Sequence, residues 1–454
     1  MIDKLLEYLE NKKILILGFG KEGISTYKFI RKHFQNKKIY IADKTNANEE
    51  IILKDKNVDI NFGDNYLDNL KDFDIIMKTP GISFANINIE SFKEKIKSQL
   101  ELFLEFIDVT TIGVTGSKGK STTSSLIYQI LKDQNKDTVL MGNIGVPVFD
   151  CIEDIRESTI VVLEMSSHQL EYMDVSPNIA ILLNIYEEHL DHYKSIKEYA
   201  EAKINIGRFQ KNSDYFIYNV DNKIIKECID EIETLNDIKF EVSYNGNLSN
   251  DNSNKVYIKD DYIYINENKV YNINDKRNLL GNHNLNNIMF VLAVCNILKL
   301  NLKKAKETIS NFKGLEHRME YVGKYNNIIY YNDSIATIPE ATINSIRALK
   351  NVDTLILGGM DRGISYNEFI KFLNSGVVRN LICMPDTGYK IADSLNCSSN
   401  IYKVETLEEA VELSKKITRK DKICLLSPAA ASYGFFKNFV EKGNKYKELV
   451  KKDI

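Results

Sequence analysis

Residues 111–122 run TIGVTGSKGKST. A short β-branched run meets a loop of small residues, and a lysine and hydroxyl residues then open a helical pattern. A strand that turns through glycines straight into a helix is the first half of a βα unit, and repeated units of this kind build parallel sheets. The loop misses the G-x-x-x-x-G-K-[ST] phosphate pattern, because Val114 stands five residues before Gly119 and the glycines fall at 113 and 116. Its chemistry is the same. Loop N–H groups and the positive helix end cradle phosphate, Lys120 reaches the β- and γ-phosphates, and the Ser121 hydroxyl is a magnesium ligand.

Apolar runs alternate with helical patterns along most of the chain, as α/β architecture requires. KKILILGFGKEGISTYKFI opens a first unit, TIGVTG a second, and NIIYYND, DTLILGG, NLICM and DKICLLSP read as strands of a third. With 454 residues and about 150 per domain, three domains are expected. The limits read as 1–102, 103–314 and 315–454. The tyrosine-rich KVYIKDDYIYINENKVYNI alternates like short antiparallel strands. The Asn-rich stretch at 245–254 has too little apolar content to pack and reads as an exposed loop.

A net charge of −3, from 60 basic and 63 acidic residues, gives no electrostatic footing for nucleic acid or a membrane surface. The six cysteines form no C-x-x-C pair, which argues against zinc and disulfides and suits a reducing cytoplasm. No apolar run approaches the ~18 residues of a membrane helix. The expectation is a cytoplasmic monomer without membrane insertion.

GFGKEG (18–23) is a G-x-G-x-x-G turn, with Asp43 at a later strand end. Alone it reads as a dinucleotide site, so an NAD-dependent oxidoreductase is the reading from another enzyme class.

The loop Thr115-Gly116-Ser117-Lys118-Gly119-Lys120-Ser121 resembles T-G-[ST]-[NK]-G-K-[ST] of the Mur ligase superfamily, the ATP-dependent amide-forming enzymes of peptidoglycan and folate chemistry. Other segments follow in family order. They are GNIGVP (142–147), LEMSSHQLE (163–171), NIYEEHLDHY (184–193), YAEAKINI (199–206), GNHNLNN (281–287), GLEHRMEYV (314–322), NDSIAT (332–337) and LLSPAAASYGFFKNFVEKG (425–443). Together they cover essentially the whole chain, and they favour the ligase over the oxidoreductase.

The resemblance implies three parts: an N-terminal Rossmann-like UDP-binding domain, a central P-loop ATPase-type parallel sheet and a C-terminal Rossmann-like domain. It implies an ATP-dependent ligase that adds glutamate, D-glutamate first, to UDP-N-acetylmuramoyl-L-alanine through an acyl phosphate. The nucleotide would lie between the central and C-terminal parts, with domain closure bringing the reacting groups together. The implied ATP contacts are Thr115, Gly116, Ser117, Lys118, Gly119, Lys120, Ser121 and Thr122, with Asn284, Asn287, Arg318 and Asp333. Two Mg²⁺ ions are implied, held by Ser121, Glu164, His189 and Lys203, the last as a carbamate formed with CO₂. Lys120, His189 and Lys203 are the implied catalytic set. Gly18, Gly20, Gly23, Asp43, Asn143, Ser166 and Gln169 would take the UDP substrate, and Thr337, Arg362, Ser432 and Phe439 the glutamate.

Some positions depart from the family's pattern. Ile335 and Arg362 stand where lysines are usual, Tyr186 replaces threonine, Glu188 replaces aspartate and His168 replaces phenylalanine. Arginine can still clamp a carboxylate in bidentate fashion, so an acidic amino acid is retained. The two lost lysines leave addition of L-glutamate as an alternative. A different acceptor, such as a folate, is a further one within the superfamily.

Overall fold

The computed structural model describes residues 1–45, 49–84, 87–144, 146–188, 192–232, 238–249, 254–279, 281–361, 364–432 and 436–452. The chain forms two compact units, one of residues Met1–Lys276 with His283–Ser310, the other of Arg277–Asn282 with Asn311–Ile454.

The first unit carries two sheets. Strands β1 (Ile14–Leu17), β2 (Ile39–Asp43), β3 (Val58–Phe62), β4 (Ile75–Lys78) and β5 (Ile96–Lys97) form an all-parallel sheet in the order β3-β2-β1-β4-β5. β1 is apolar and β4 is apolar up to its last residue, Lys78, and both are buried throughout, as strands covered on both faces must be. The helix Asp3–Glu10 buries Leu5 and Leu9, with Ile2 and Leu6 packed beside them, on the stripe its i, i+3, i+4, i+7 spacing draws.

The second sheet has nine strands: β6 (Thr111–Thr115), β7 (Thr138–Gly142), β8 (Ile160–Glu164), β9 (Ile179–Leu182), β10 (Tyr215–Asn219), β11 (Lys239–Ser243), β12 (Asn254–Lys259), β13 (Tyr262–Ile265) and β14 (Asn268–Asn272). Their order is β14-β13-β12-β11-β10-β9-β6-β8-β7. The sheet is parallel from β7 to β12, and the tyrosine-rich segment adds β13 and β14 antiparallel. The sheet is therefore mixed rather than parallel throughout. The two-residue connections there, such as Asp260-Asp261 with both φ positive, are too short for anything but a hairpin. Of the Asn-rich stretch, 250–253 lie outside the described residues. The two sheets pack as one body: Phe29 meets Phe149 at 4.4 Å between ring centroids, and the Gln99 side chain accepts the Phe149 N–H at 3.1 Å.

The second unit holds β15 (Glu320–Tyr325), β16 (Ile328–Asn332), β17 (Val352–Gly359), β18 (Asn380–Asp386), β19 (Asn400–Lys403) and β20 (Ile423–Leu426), in the order β15-β16-β20-β17-β18-β19. Only β15 runs antiparallel, to β16.

In each sheet the strand order reverses at one place: between β1 and β4, between β6 and its neighbours β8 and β9, and between β17 and β20. The crevice beyond the carboxyl ends of strands at such a reversal is where open α/β sheets bind ligands. Among the described residues no helix is long and apolar enough to cross a membrane.

Candidate functional site

The loop 116–119 leaves β6 at its reversal point and enters the helix Lys120–Asp133. Gly116 and Gly119 have φ of 152° and 89°, and a Cβ on Gly119 would stand 2.5 Å from Asn287 Oδ1. Glycine is required there because the helix Asn282–Ile297 brings Asn287 against the loop. Asn287 also donates to Asn284 at 3.3 Å, so the second of these two expected ATP contacts stands beside the first.

Part of the loop's donor set is already committed. Ser117 N–H goes to Asn184 O at 2.8 Å, and Lys118 N–H to Asn184 Oδ1 at 2.8 Å. The Ser117 hydroxyl shares a hydrogen bond with Tyr199 OH at 2.9 Å and accepts Tyr186 N–H at 2.9 Å. The Thr115 hydroxyl donates to Met165 O at 2.8 Å. The first ladder bond of the helix is Thr123 N–H to Gly119 O, so the N–H groups before Thr123 stand outside that ladder, where an anion is favoured. Lys118 pairs with Glu188, and Ser121 and Thr122 are half-buried at the helix start. Tyr186 meets the loop through its main-chain N–H, and the residue is 53% exposed.

Two lysines meet under this loop. Lys120 Nζ donates to Gly116 O at 2.8 Å and Ser117 O at 3.0 Å, and Lys203 Nζ to the same Gly116 O at 3.2 Å. Lys203 is 1% exposed, with its ammonium 4.7 Å from the centre of the Tyr199 ring. Burial first, and the Lys120 charge second, hold its pKa well below the usual lysine value.

Glu164, the last residue of β8, is buried. Its Oε1 accepts from Asn143 Nδ2 at 2.7 Å, its main-chain oxygen accepts Asn143 N–H at 2.8 Å, and its Oε2 has no hydrogen-bond partner among the described residues. A buried carboxylate oxygen left open beside a phosphate loop fits a hard cation that takes oxygen ligands. No cluster of three or more His, Cys, Asp or Glu gathers among the described residues. His189 lies outside the described residues. Ser166 caps the short helix Ser167–Leu170 in a capping box with Gln169, whose Oε1 accepts from Ser166 N at 3.0 Å and Oγ at 3.1 Å.

The glycine turn of 18–23 lies at the β1–β4 reversal. A Cβ on Gly23 would meet Gly18 O at 2.1 Å and one on Gly18 would meet Thr79 Oγ1 at 2.0 Å, whereas Gly20 has open space. Asp43 braces this turn: Oδ2 accepts Phe19 N–H at 2.6 Å and Oδ1 accepts Thr45 N–H at 2.8 Å.

In the second unit Met360 N–H bonds to Ala431 O at 2.9 Å, which draws together the two segments beyond β17 and β20. Ser432 is buried there, and its hydroxyl has no partner among the described residues. Arg362, two residues past Met360, lies outside them. Phe439 sits 6.1 Å edge-on from His317, and its carbonyl accepts from Ser334 Oγ at 2.9 Å. Thr337 N–H bonds to Ile335 O at 2.9 Å. Asp333 is fully engaged inside the unit, accepting from Ser345 (2.7 Å), Ser427 (2.8 Å) and Met319 N–H (3.1 Å), and burial raises its pKa to about 6. Arg318 is exposed.

Three working residues escaped the sequence reading. Asn184, Tyr199 and Lys442 each position a loop, the last by donating to Gly358 O at 2.9 Å from a fully buried site. Asn184 and Tyr199 stood inside quoted motifs but carried no chemistry of their own.

Residues 12–98 match the Mur ligase MurD-like N-terminal domain, 114–295 the Mur ligase middle domain, and 317–430 the Mur ligase glutamate ligase domain. A UDP-N-acetylmuramoylalanine–D-glutamate ligase of Clostridium kluyveri is 34% identical over 467 aligned positions, covering 99% of this chain and 98% of its own. Among solved structures, the UDP-N-acetylmuramate–alanine ligase MurC of Thermotoga maritima aligns with a TM-score of 0.56 at 20% identity, over 96% of this chain and 99% of its own. The MurF ligase of Thermotoga maritima, in complex with ADP, gives 0.56 at 17% identity over 97% and 95%. The structural likeness bears on the fold alone; with the sequence matches, it follows that the chain belongs to the Mur ligase family.

Proposed function

We propose that the protein is an ATP-dependent ligase that joins glutamate to UDP-N-acetylmuramoyl-L-alanine in the cytoplasm, as a step of peptidoglycan precursor synthesis. D-glutamate is the amino acid named for the Clostridium kluyveri relative. The observation that carries the chemistry is the open, buried Glu164 Oε2 in the same unit as a phosphate-type loop with Lys120 at its helix start. Residues 1–102 are proposed to take the uridine nucleotide, 103–314 the ATP and 315–454 the amino acid.

In the first step the acceptor's alanyl carboxylate attacks the γ-phosphorus in line, and ADP leaves, giving an acyl phosphate. Lys120 and the N–H groups at the start of its helix would hold the phosphates, while Asn287 fixes the loop's approach. Ser121, Glu164, His189 and Lys203 would hold magnesium, which when bound neutralises the charge growing on the transferring group. Glutamate's amine then attacks the acyl carbon, and the tetrahedral adduct expels phosphate to leave the amide. Thr337, Arg362, Ser432 and Phe439 are the proposed glutamate contacts, with the open Ser432 hydroxyl as a donor to a carboxylate.

Lys203 has a physical reason to react with CO₂. Burial, and after it the Lys120 charge at the shared Gly116 carbonyl, make the Lys203 ammonium easier to deprotonate than an exposed lysine. A neutral amine can add to CO₂, lose a proton and become a carbamate. That replaces a repelled cation by an anion beside Lys120.

The test is phosphate release from MgATP with UDP-N-acetylmuramoyl-L-alanine, comparing D- and L-glutamate. Turnover with D-glutamate supports the proposal. Turnover with L-glutamate alone would assign the altered stereochemistry to Ile335 and Arg362, and no amino-acid-dependent release at all would refute the ligase.

A further inference from the structure

The reversal between β1 and β4 holds more than the glycine turn. Lys78, the last residue of β4, is in register with Leu17, the residue before Gly18, and Thr79 N–H bonds to Leu17 O at 2.9 Å. The Lys78 side chain therefore leaves the sheet at its carboxyl edge, beside the turn that the substrate's diphosphate would meet. It runs between Phe84 and Tyr172, 6.0 and 5.4 Å from the ring centres, into a cleft also lined by Pro80, Ile96, His168 and Gln169.

Lys78 is 5% exposed, yet among the described residues it makes no hydrogen bond and no ion pair. The carboxylates of Glu171 and Glu22 act on it only from beyond contact distance, and burial outweighs them, bringing its pKa down to about 8. The neighbouring cation, Lys97, is already held by Glu101 at 2.5 Å. Gln169 spends its Oε1 on Ser166, which turns its amide N–H groups away from that cap. The cleft thus offers the Lys78 ammonium and the Gln169 amide as donors between apolar walls, and the one carboxylate among its lining residues, Glu101, is taken by Lys97. A buried ammonium without a contacting counter-ion is costly to keep, and an arriving anion offsets that cost with a charge-assisted hydrogen bond.

We infer that Lys78 is a substrate-positioning residue that grips an anionic oxygen of the uridine nucleotide substrate in this cleft. The oxygen belongs to the diphosphate or to the carboxylate at the substrate's amino-acid end, and the register beside Gly18 favours the diphosphate. The inference rests on the ligase reading above.

The test compares wild type with Lys78→Met and Lys78→Arg in the full chain, by steady-state ligation and by calorimetric binding of UDP alone. Removing a hydrogen bond to a charged group should raise the KM for the UDP-linked acceptor about 10- to 100-fold. The KM values for ATP and glutamate should stay within about twofold of wild type, and Lys78→Arg should restore most of the loss. Weaker binding of UDP alone assigns the contact to the diphosphate; unchanged UDP binding with a raised acceptor KM assigns it to the carboxylate. An acceptor KM within about twofold of wild type in folded Lys78→Met overturns the inference and leaves the ligase reading intact, and so does an equal rise in all three KM values. If Lys78→Met does not fold, Lys78→Gln is read the same way. A wild-type protein that neither binds UDP nor ligates overturns both.

Discussion

Replacing Glu164 by glutamine separates a metal ligand from a structural acid. The change keeps the shape and the bond from Asn143 Nδ2, 2.7 Å from Oε1, and removes the charge from the oxygen that has no partner. A buried acceptor without a partner costs about 1–3 kcal/mol, and a charged one more. The glutamine amide brings its own unpaired donor, which costs about the same, so the two effects offset. The ligand-free protein should melt within a few degrees of wild type or above it. Function should move far more. A metal's charge stabilisation is worth several kcal/mol in the transition state, and losing about 3 kcal/mol of it lowers kcat about 10²-fold. The assay is phosphate release at saturating substrates over a magnesium titration, with melting curves in parallel. The expected result is a 10²-fold lower kcat, a higher magnesium requirement and an unchanged melting point. If Glu164 serves only as counter-ion to Lys203, whose charge it does favour, the variant should instead lose its fold while the magnesium requirement stays put. That outcome, or wild-type activity, would refute the metal assignment.

Lys120→Ala should abolish ATP-dependent ligation in a chain whose circular dichroism and melting match wild type, and a fully active variant would remove the lysine from the mechanism. Gly23→Ala puts a Cβ 2.1 Å from Gly18 O, a backbone atom that cannot swing aside, so it should cost at least about 1–3 kcal/mol in a denaturation series and weaken UDP binding; Gly20→Ala, in open space, is the control for the stability loss alone. Lys442 is fully buried, and burial alone takes its pKa from 10.5 to about 7. Above that value the folded lysine is neutral while the unfolded one still binds a proton, so stability should rise between about pH 7 and 10, by on the order of 4 kcal/mol at most. Lys442→Met should flatten that rise in melting curves of the full chain at pH 7, 8 and 9, and a wild-type curve that is already flat would contradict the buried charge.

The sequence was most legible where backbone geometry dictates residue type. Gly18, Gly23, Gly116 and Gly119 could be read because each answers a steric demand: a Cβ would strike a neighbouring carbonyl, Thr79, Leu183 or Asn287. Such demands recur at strand-to-helix turns, and these turns lie where the strand order reverses, so motif and topology point to the same places. Apolar runs and length led to an expectation of three α/β units, and the structure carries three sheets. The antiparallel β13 and β14 on the central sheet did not alter that count, because alternation identifies a strand without saying which sheet it joins.

Side-chain commitments were not legible. Thr115 and Ser117 read as phosphate-loop residues, but their hydroxyls are tied to Met165 and Tyr186 within the protein, and Asp333 is bound by two serines and a main-chain N–H. Buried lysines were the hardest. A lysine on a helix is ordinarily solvated, and nothing in YAEAKINI by itself distinguishes Lys203 from its exposed kind. The distinguishing fact is three-dimensional: Tyr199 and Lys203 lie one turn apart on the face that packs against the phosphate loop, so the lysine has nowhere to place its ammonium except on Gly116 O. A chain selected for stability alone would put an apolar residue there. Lys203, Lys78 and Lys442 are all buried, none has a carboxylate in contact among the described residues, and each lies at or beside the carboxyl end of a sheet, the edge at which open α/β sheets receive ligands.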